Sequence, residues 1–261
     1  MAECMSGTKA QADYWHEARS PLASLCFLLP LLGIYEWGVF AAGVSDPDRV
    51  RNGADFWLRS LLVQAGAAQL LLPVLVLGVL LLWHIAARYP WQLQFSTQAG
   101  MLAESLLLAA SLAAIGRLHD CLFHWGTFHW GTQFADRSLI ANSLSPPLIR
   151  AVSFVGAGVY EEVMFRLLLV PPAFMFFRLF EFPRKLAAVM AAVATSFLFA
   201  LAHHVGPQAE AFHLFSFSFR AAAGLFFSCV FFLRGFGITV GCHAAYDLLV
   251  GVLLTLPANS N

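Results

Sequence analysis

A chain of 261 residues that is 59% hydrophobic and only 11% charged is not a soluble domain, in which about a quarter of residues carry charge. Its mean hydropathy of +0.71 and its long apolar runs define an integral membrane protein. A formal net charge of zero, with no run of Lys and Arg, excludes nucleic acid as a partner and a dedicated anionic-lipid patch.

Residues 1–20 form a polar tail with Glu3, Lys9, Asp13, Glu17 and Arg19, unlike the positive start of a secretory signal. The apolar run from Pro21 to Val44 is also longer than a signal core, and predicts an uncleaved first span. Glu36 in its outer third is expected to be solvated or satisfied by a partner. A polar loop from Ser45 to Arg59 precedes a second span over about Leu61 to Ala87, with a kink expected at Pro73. Tyr89-Pro90-Trp91 reads as an interfacial belt. The third span is expected from Ala99 to Leu118, with Glu104 one turn inside its start, where a helix N-terminus favours an acid.

From His119 to Pro147 the chain is less apolar and carries a tandem repeat, His124-Trp125-Gly126-Thr127 and His129-Trp130-Gly131-Thr132. Such Trp-rich stretches lie at the headgroup level. His119, His124 and His129 are spaced five apart and point to different sides of a helix or strand, so they do not read as a metal site. The fourth span, Leu148 to Phe177, is expected to be broken or kinked at Pro171-Pro172. Spans five to seven are Leu186 to His204, Phe212 to Leu233 and, after a tight turn at Arg234-Gly235-Phe236-Gly237, Ile238 to Leu256. The expected fold is an all-α polytopic membrane bundle of about seven helices, or eight if the Trp-rich loop or a long helix is split. Its parts are the tail 1–20, membrane helices and loop over 21–147, a second helix bundle over 148–256, and a polar end over 257–261. Lys and Arg divide almost evenly between the two sides, so the positive-inside rule does not orient the bundle. The five cysteines, Cys4, Cys26, Cys121, Cys229 and Cys242, show neither a C-x-x-C pair nor regular spacing, and imply no disulfide framework or zinc knuckle.

Against this apolar background Glu161, Glu162 and Arg166 stand near the middle of a hydrophobic stretch. Each charge at a bilayer centre costs about 2.5–3.5 kcal/mol on insertion scales. Residues four apart share a helical face, so Glu162 pairs with Arg166, while Glu161 is turned roughly 100° away and lacks a local partner. Two further pairs lie at the same four-residue spacing, Phe199 with His203 and His243 with Asp247. The charges alone admit a packing role, with Arg166 serving both acids. The unpaired acid together with two intramembrane histidines points instead to a functional site.

Glu161-Glu162-x-x-x-Arg166, Phe199-x-x-x-His203 and His243-x-x-x-Asp247 resemble, in order and spacing, the three motifs of the CPBP family. That family comprises the CAAX prenyl protease 2-like and bacteriocin-processing membrane proteases, also called the Abi family. The resemblance covers roughly residues 148–256. It implies a glutamate-dependent intramembrane endopeptidase that uses no cofactor or metal and takes a membrane-anchored protein or peptide in the lipid bilayer as its partner. By the same resemblance Glu161 is the general base, His203 its partner on water, and His243 with the position of Asp247 the oxyanion site. Glu162 and Arg166 support the site and Phe199 walls it. The third motif often ends in Asn, and here it ends in Asp247. An ionised Asp only accepts hydrogen bonds, so Asp247 is expected either to be kept protonated by burial or to orient His243; the second is preferred. Two alternatives use the same residues: a zinc protease holding its metal through His203, His243 and a carboxylate, and a non-enzymatic proton-coupled transporter or scaffold.

Overall fold

The computed structural model describes residues 14–42, 50–123, 147–206 and 209–255, all of whose regular elements are helical. Helix α1, Pro21–Ala41, starts where the Ser20 hydroxyl accepts the Ala23 N–H at 3.1 Å. Pro21 occupies the first helical position, where no N–H is needed. Pro30 lies inside α1 without ending it.

The loop expected to run to Arg59 is already helical from Gly53, and the expected second span is split by a turn. Helix α2, Gly53–Gln64, is capped by Asn52, whose side-chain oxygen accepts the Asp55 N–H at 2.7 Å. The chain then turns through Gly66 at φ +77, a left-handed conformation that glycine adopts without strain. Helix α3, Leu71–Ala86, follows. Pro73 falls in its first turn, where backbone N–H groups have no intrahelical acceptor, so it causes no kink.

Helix α4, Phe95–Phe123, begins before the predicted boundary. This leaves Glu104 well past the first turn, beyond the reach of the helix N-terminus. Arg234 holds it instead, with Nη2 to Oε2 at 2.7 Å and a second contact through Nε. The Tyr14 hydroxyl also donates to Glu104 at 2.7 Å, and the Trp15 ring lies 3.4 Å from the Arg234 guanidinium. Burial, and then the Glu104 carboxylate, push the Tyr14 hydroxyl up to about 12, so it remains a donor.

Helix α5, Pro147–Glu162, runs without interruption through a π-helical segment, Val163–Leu169, into α6, Val170–Leu179. The two prolines do not break it. The Val170 N–H reaches back five residues to the Phe165 carbonyl, and the prolines then fall in the first turn of α6, where their missing N–H groups leave little unmet. Helices α7, Arg184–Ala202, α8, Leu214–Arg234, and α9, Phe236–Gly251, complete the bundle, with a 3-10 turn at Leu253–Thr255. Gly235, at φ +89, makes the sharp corner between α8 and α9.

Among the described residues α1, α4, α7 and α8 are long and apolar enough to cross a bilayer, while α3 and α9 are apolar but shorter. One of the two shorter helices is the most enclosed: every residue from Phe236 to Ala244 of α9 is buried, packed chiefly between α4 and α5. Other helices turn Leu, Val and Phe outward, as at Phe40, Leu107 and Phe197, where lipid solvates them. The His/Trp repeat, His124 to Thr132, lies outside the described residues. Cys26, Cys121, Cys229 and Cys242 are free thiols.

Candidate active site

The end of α5, the π segment, the end of α7 and the middle of α9 bring the seven singled-out side chains together. Glu162 and Arg166 are almost completely enclosed, at 0% and 1% exposure, with Arg166 Nη1 3.1 Å from Glu162 Oε1. The same Oε1 accepts the His243 Nδ1–H at 2.7 Å. Arg166 also donates from Nη2 to the Gly224 carbonyl of α8 at 2.8 Å. Its guanidinium lies 5.0 Å from the Phe199 ring and 5.4 Å from the Phe227 ring, a dry cation–π setting in which an arginine charge is tolerated. The expected Glu162–Arg166 pair is therefore present, with two partners that its helical spacing did not reveal.

Glu161 faces the other way. Its Oε2 lies 4.0 Å from His203 Nε2 and 3.8 Å from His243 Nε2, with 14% of the side chain exposed. His203 is the C-cap of α7, and its Nδ1–H donates to the Phe199 carbonyl at 2.9 Å. That bond places the proton on Nδ1, so the neutral ring offers a lone pair on Nε2 toward Glu161. His204, one residue on, turns away: its Nδ1 lies 3.1 Å from the Glu210 carbonyl and its ring packs on Phe212 at 5.2 Å.

His243 is the meeting point of the acids. With Nδ1 bound to Glu162, its Nε2 faces Asp247 Oδ2 at 3.5 Å as well as Glu161. The ring stacks on Phe227 of α8, centroids 4.4 Å apart and planes 18° from parallel. Phe199 packs edge-on against both imidazoles, at 5.1 Å from His203 and 6.0 Å from His243. Phe227 was not foreseen, because a chain with 25 phenylalanines gives no single one a signal. Nor was the ion pair of Arg220 and Glu210, 2.7 Å apart. Among the described residues no group of three His, Cys, Asp or Glu is arranged to hold one metal ion.

The arrangement separates two chemical settings. Glu162, Arg166 and the Nδ1 edge of His243 form a dry, mutually bonded base. Glu161, His203 Nε2, His243 Nε2 and Asp247 form its partly open face, where two carboxylates and two ring nitrogens gather around a space of hydrogen-bonding width. A carboxylate and an imidazole lone pair about 4 Å apart can each accept one hydrogen of the same water, since such bonds span about 2.7–3.0 Å.

Residues 143–249 match the family model described as type II CAAX prenyl endopeptidase, Rce1-like. No curated protein and no solved structure matches the chain. The matched stretch includes all seven residues of the cluster and none of α1–α4. Over residues 143–249 this integral membrane chain is therefore similar to the Rce1-like family of CAAX prenyl endopeptidases.

Proposed function

We propose that the protein is a multi-pass, glutamate-dependent intramembrane endopeptidase that hydrolyses a peptide bond near the end of a membrane-anchored or prenylated substrate. The observation that carries the reading is the approach of Glu161 Oε2 to within 4.0 Å of both imidazole Nε2 atoms. In the proposed reaction a water donates one hydrogen to Glu161 and the other to His203 Nε2. Glu161 takes its proton as the oxygen attacks the scissile carbonyl. The developing oxyanion accepts from His243 Nε2–H. Because Nδ1–H is committed to Glu162, this donation requires the doubly protonated ring, and Asp247 is the acceptor that holds Nε2–H in place beforehand. Such a donor is typically worth ~10²–10³ in rate. Glu161 then returns the proton to the leaving amine, with no covalent acyl-enzyme.

The family match favours a prenylated C-terminus as substrate. The reading we prefer is a bacterial-type processing protease of the inner or plasma membrane. The test has two arms. Purified protein is assayed on a farnesylated fluorogenic peptide ending in Cys, two aliphatic residues and a variable residue. Membrane proteomes are compared between wild type and Glu161→Ala for C-terminally or N-terminally extended precursors. Turnover by wild type with loss of ~10²–10⁴ in Glu161→Gln is expected. Cleavage of either substrate set at the wild-type rate by the Gln variant sinks the proposal.

A further inference from the structure

A second polar cluster lies mostly outside the family match and joins it at Tyr160. Arg59 of α2 is 2% exposed and donates in three directions: to Asp55 Oδ1 at 2.5 Å, to Glu36 Oε1 at 2.6 Å and to the Gln69 carbonyl at 2.7 Å. Asp55, fully buried, also accepts from the Tyr35 hydroxyl at 2.7 Å. The Tyr160 hydroxyl of α5 donates to the same Glu36 Oε1 at 2.6 Å. Tyr160 is itself fully buried and packs edge-on to Tyr35 at 5.4 Å. None of these residues enters the proposed chemistry.

We infer that Tyr160, anchored through Glu36 to Arg59, is a positioning residue that sets the rotation of the last turn of α5 and so aims Glu161. This rests on the endopeptidase reading. Consecutive helical residues are held about 100° apart, so a hydroxyl fixed at position 160 fixes the direction of the next side chain. The helix needs such a hold at this point. Glu161 and Glu162 are followed at once by the π segment, whose wider turn lacks the regular backbone ladder below them. On one side Glu162 ties the turn to His243 and Arg166; on another Glu36 ties it to α1 and α2. Stability alone does not account for the device, because buried ion pairs are commonly no more stabilising than apolar residues of the same volume. Its product is a fixed geometry at the residue next to the general base.

The experiment measures kcat, KM and thermal unfolding in detergent for the full chain, on the farnesylated fluorogenic peptide. Tyr160→Phe removes one hydroxyl and is expected to lower kcat about tenfold or more, as misplacement of a catalytic group does, with KM within about twofold of wild type. Tyr35→Phe removes an equally buried hydroxyl of the same cluster with no bond to α5, and is expected to keep kcat. Glu36→Gln, whose amide oxygen still accepts from Tyr160, is expected to retain most of the kcat that Glu36→Ala loses. Wild-type kcat in Tyr160→Phe overturns the inference, as does a kcat loss in Tyr35→Phe that matches its loss of stability. If Tyr160→Phe does not accumulate, the Glu36→Gln and Glu36→Ala pair decides alone, equal kcat in the two overturning it. Glu161→Gln, run alongside, separates the two claims: its retention of turnover removes the endopeptidase reading, whereas an inactive Gln variant with a normal Tyr160→Phe removes only the positioning role.

Discussion

Gly158 of α5 lies against the backbone of Ala244 of α9 so closely that a Cβ on the glycine would stand 2.5 Å from the Ala244 nitrogen. The contact sits one turn before the glutamate pair and one residue after His243, so it sets the distance between the first and third motifs. A side chain there must push against backbone, which cannot yield as a flexible side chain does.

Gly158→Ala is therefore expected to destabilise by about 1–3 kcal/mol, the usual cost of overpacking. It is also expected to lengthen the contacts of His243 with Glu161 and Glu162. Thermal unfolding in detergent and cleavage of the farnesylated peptide check this together. A variant with wild-type unfolding temperature and wild-type turnover contradicts the close-approach argument.

The two adjacent histidines should separate cleanly. His203 faces Glu161, whereas His204 lies beside the Glu210 carbonyl and Phe212. His203→Ala is expected to lose ~10²–10⁴ in kcat, and His204→Ala to stay within about tenfold of wild type. Steady-state kinetics on matched preparations measure both, and the reverse order would reassign the water-binding ring.

Arg166 is a test of the dry base. Removing one partner of a buried ion pair leaves an uncompensated charge and costs about 3–5 kcal/mol. Arg166→Met should therefore lower the unfolding temperature strongly, through the Glu162 carboxylate it leaves behind. Adding Glu162→Gln should restore part of that stability but not activity, since His243 then lacks its anionic anchor. A double variant less stable than Arg166→Met would show that the two residues do not act as a pair.

Asp247 is proposed to act as an acceptor for His243 Nε2–H. Asn keeps an acceptor oxygen at that position, and Ala does not. Asp247→Asn is expected to retain activity within about tenfold, and Asp247→Ala to fall further through misorientation of the ring. Kinetics of the two variants decide it: equal losses would mean that the charge, and not acceptance, is what His243 needs.

The sequence made the apolar helices and the motif residues readable for two reasons. Hydropathy over some twenty residues is a strong signal. Charged or imidazole side chains at four-residue spacing in an apolar helix are rare enough to stand out. Other features gave no such signal. The run from Leu61 to Ala87 hides the turn at Gly66, because a short break flanked by apolar residues on both sides does not alter average hydropathy. The π segment has no residue pattern of its own; only Pro171-Pro172 hinted that the backbone bonding changes there. Glu104 was misplaced because its partners, Arg234 and Tyr14, are distant in sequence. The Glu36, Arg59 and Tyr160 contacts were unreadable for the same reason: three helices contribute to them and no local spacing connects them.

Glu162 Oε1 is shared by an imidazole and a guanidinium, whereas the side chain of Glu161, one position earlier, is 14% exposed. Two identical side chains next to each other on the ribbon thus occupy different solvents, one resembling a crystal interior and the other the edge of a puddle. They are not duplicates: the helical twist has locked one into bonds on both sides and left its twin at an open edge.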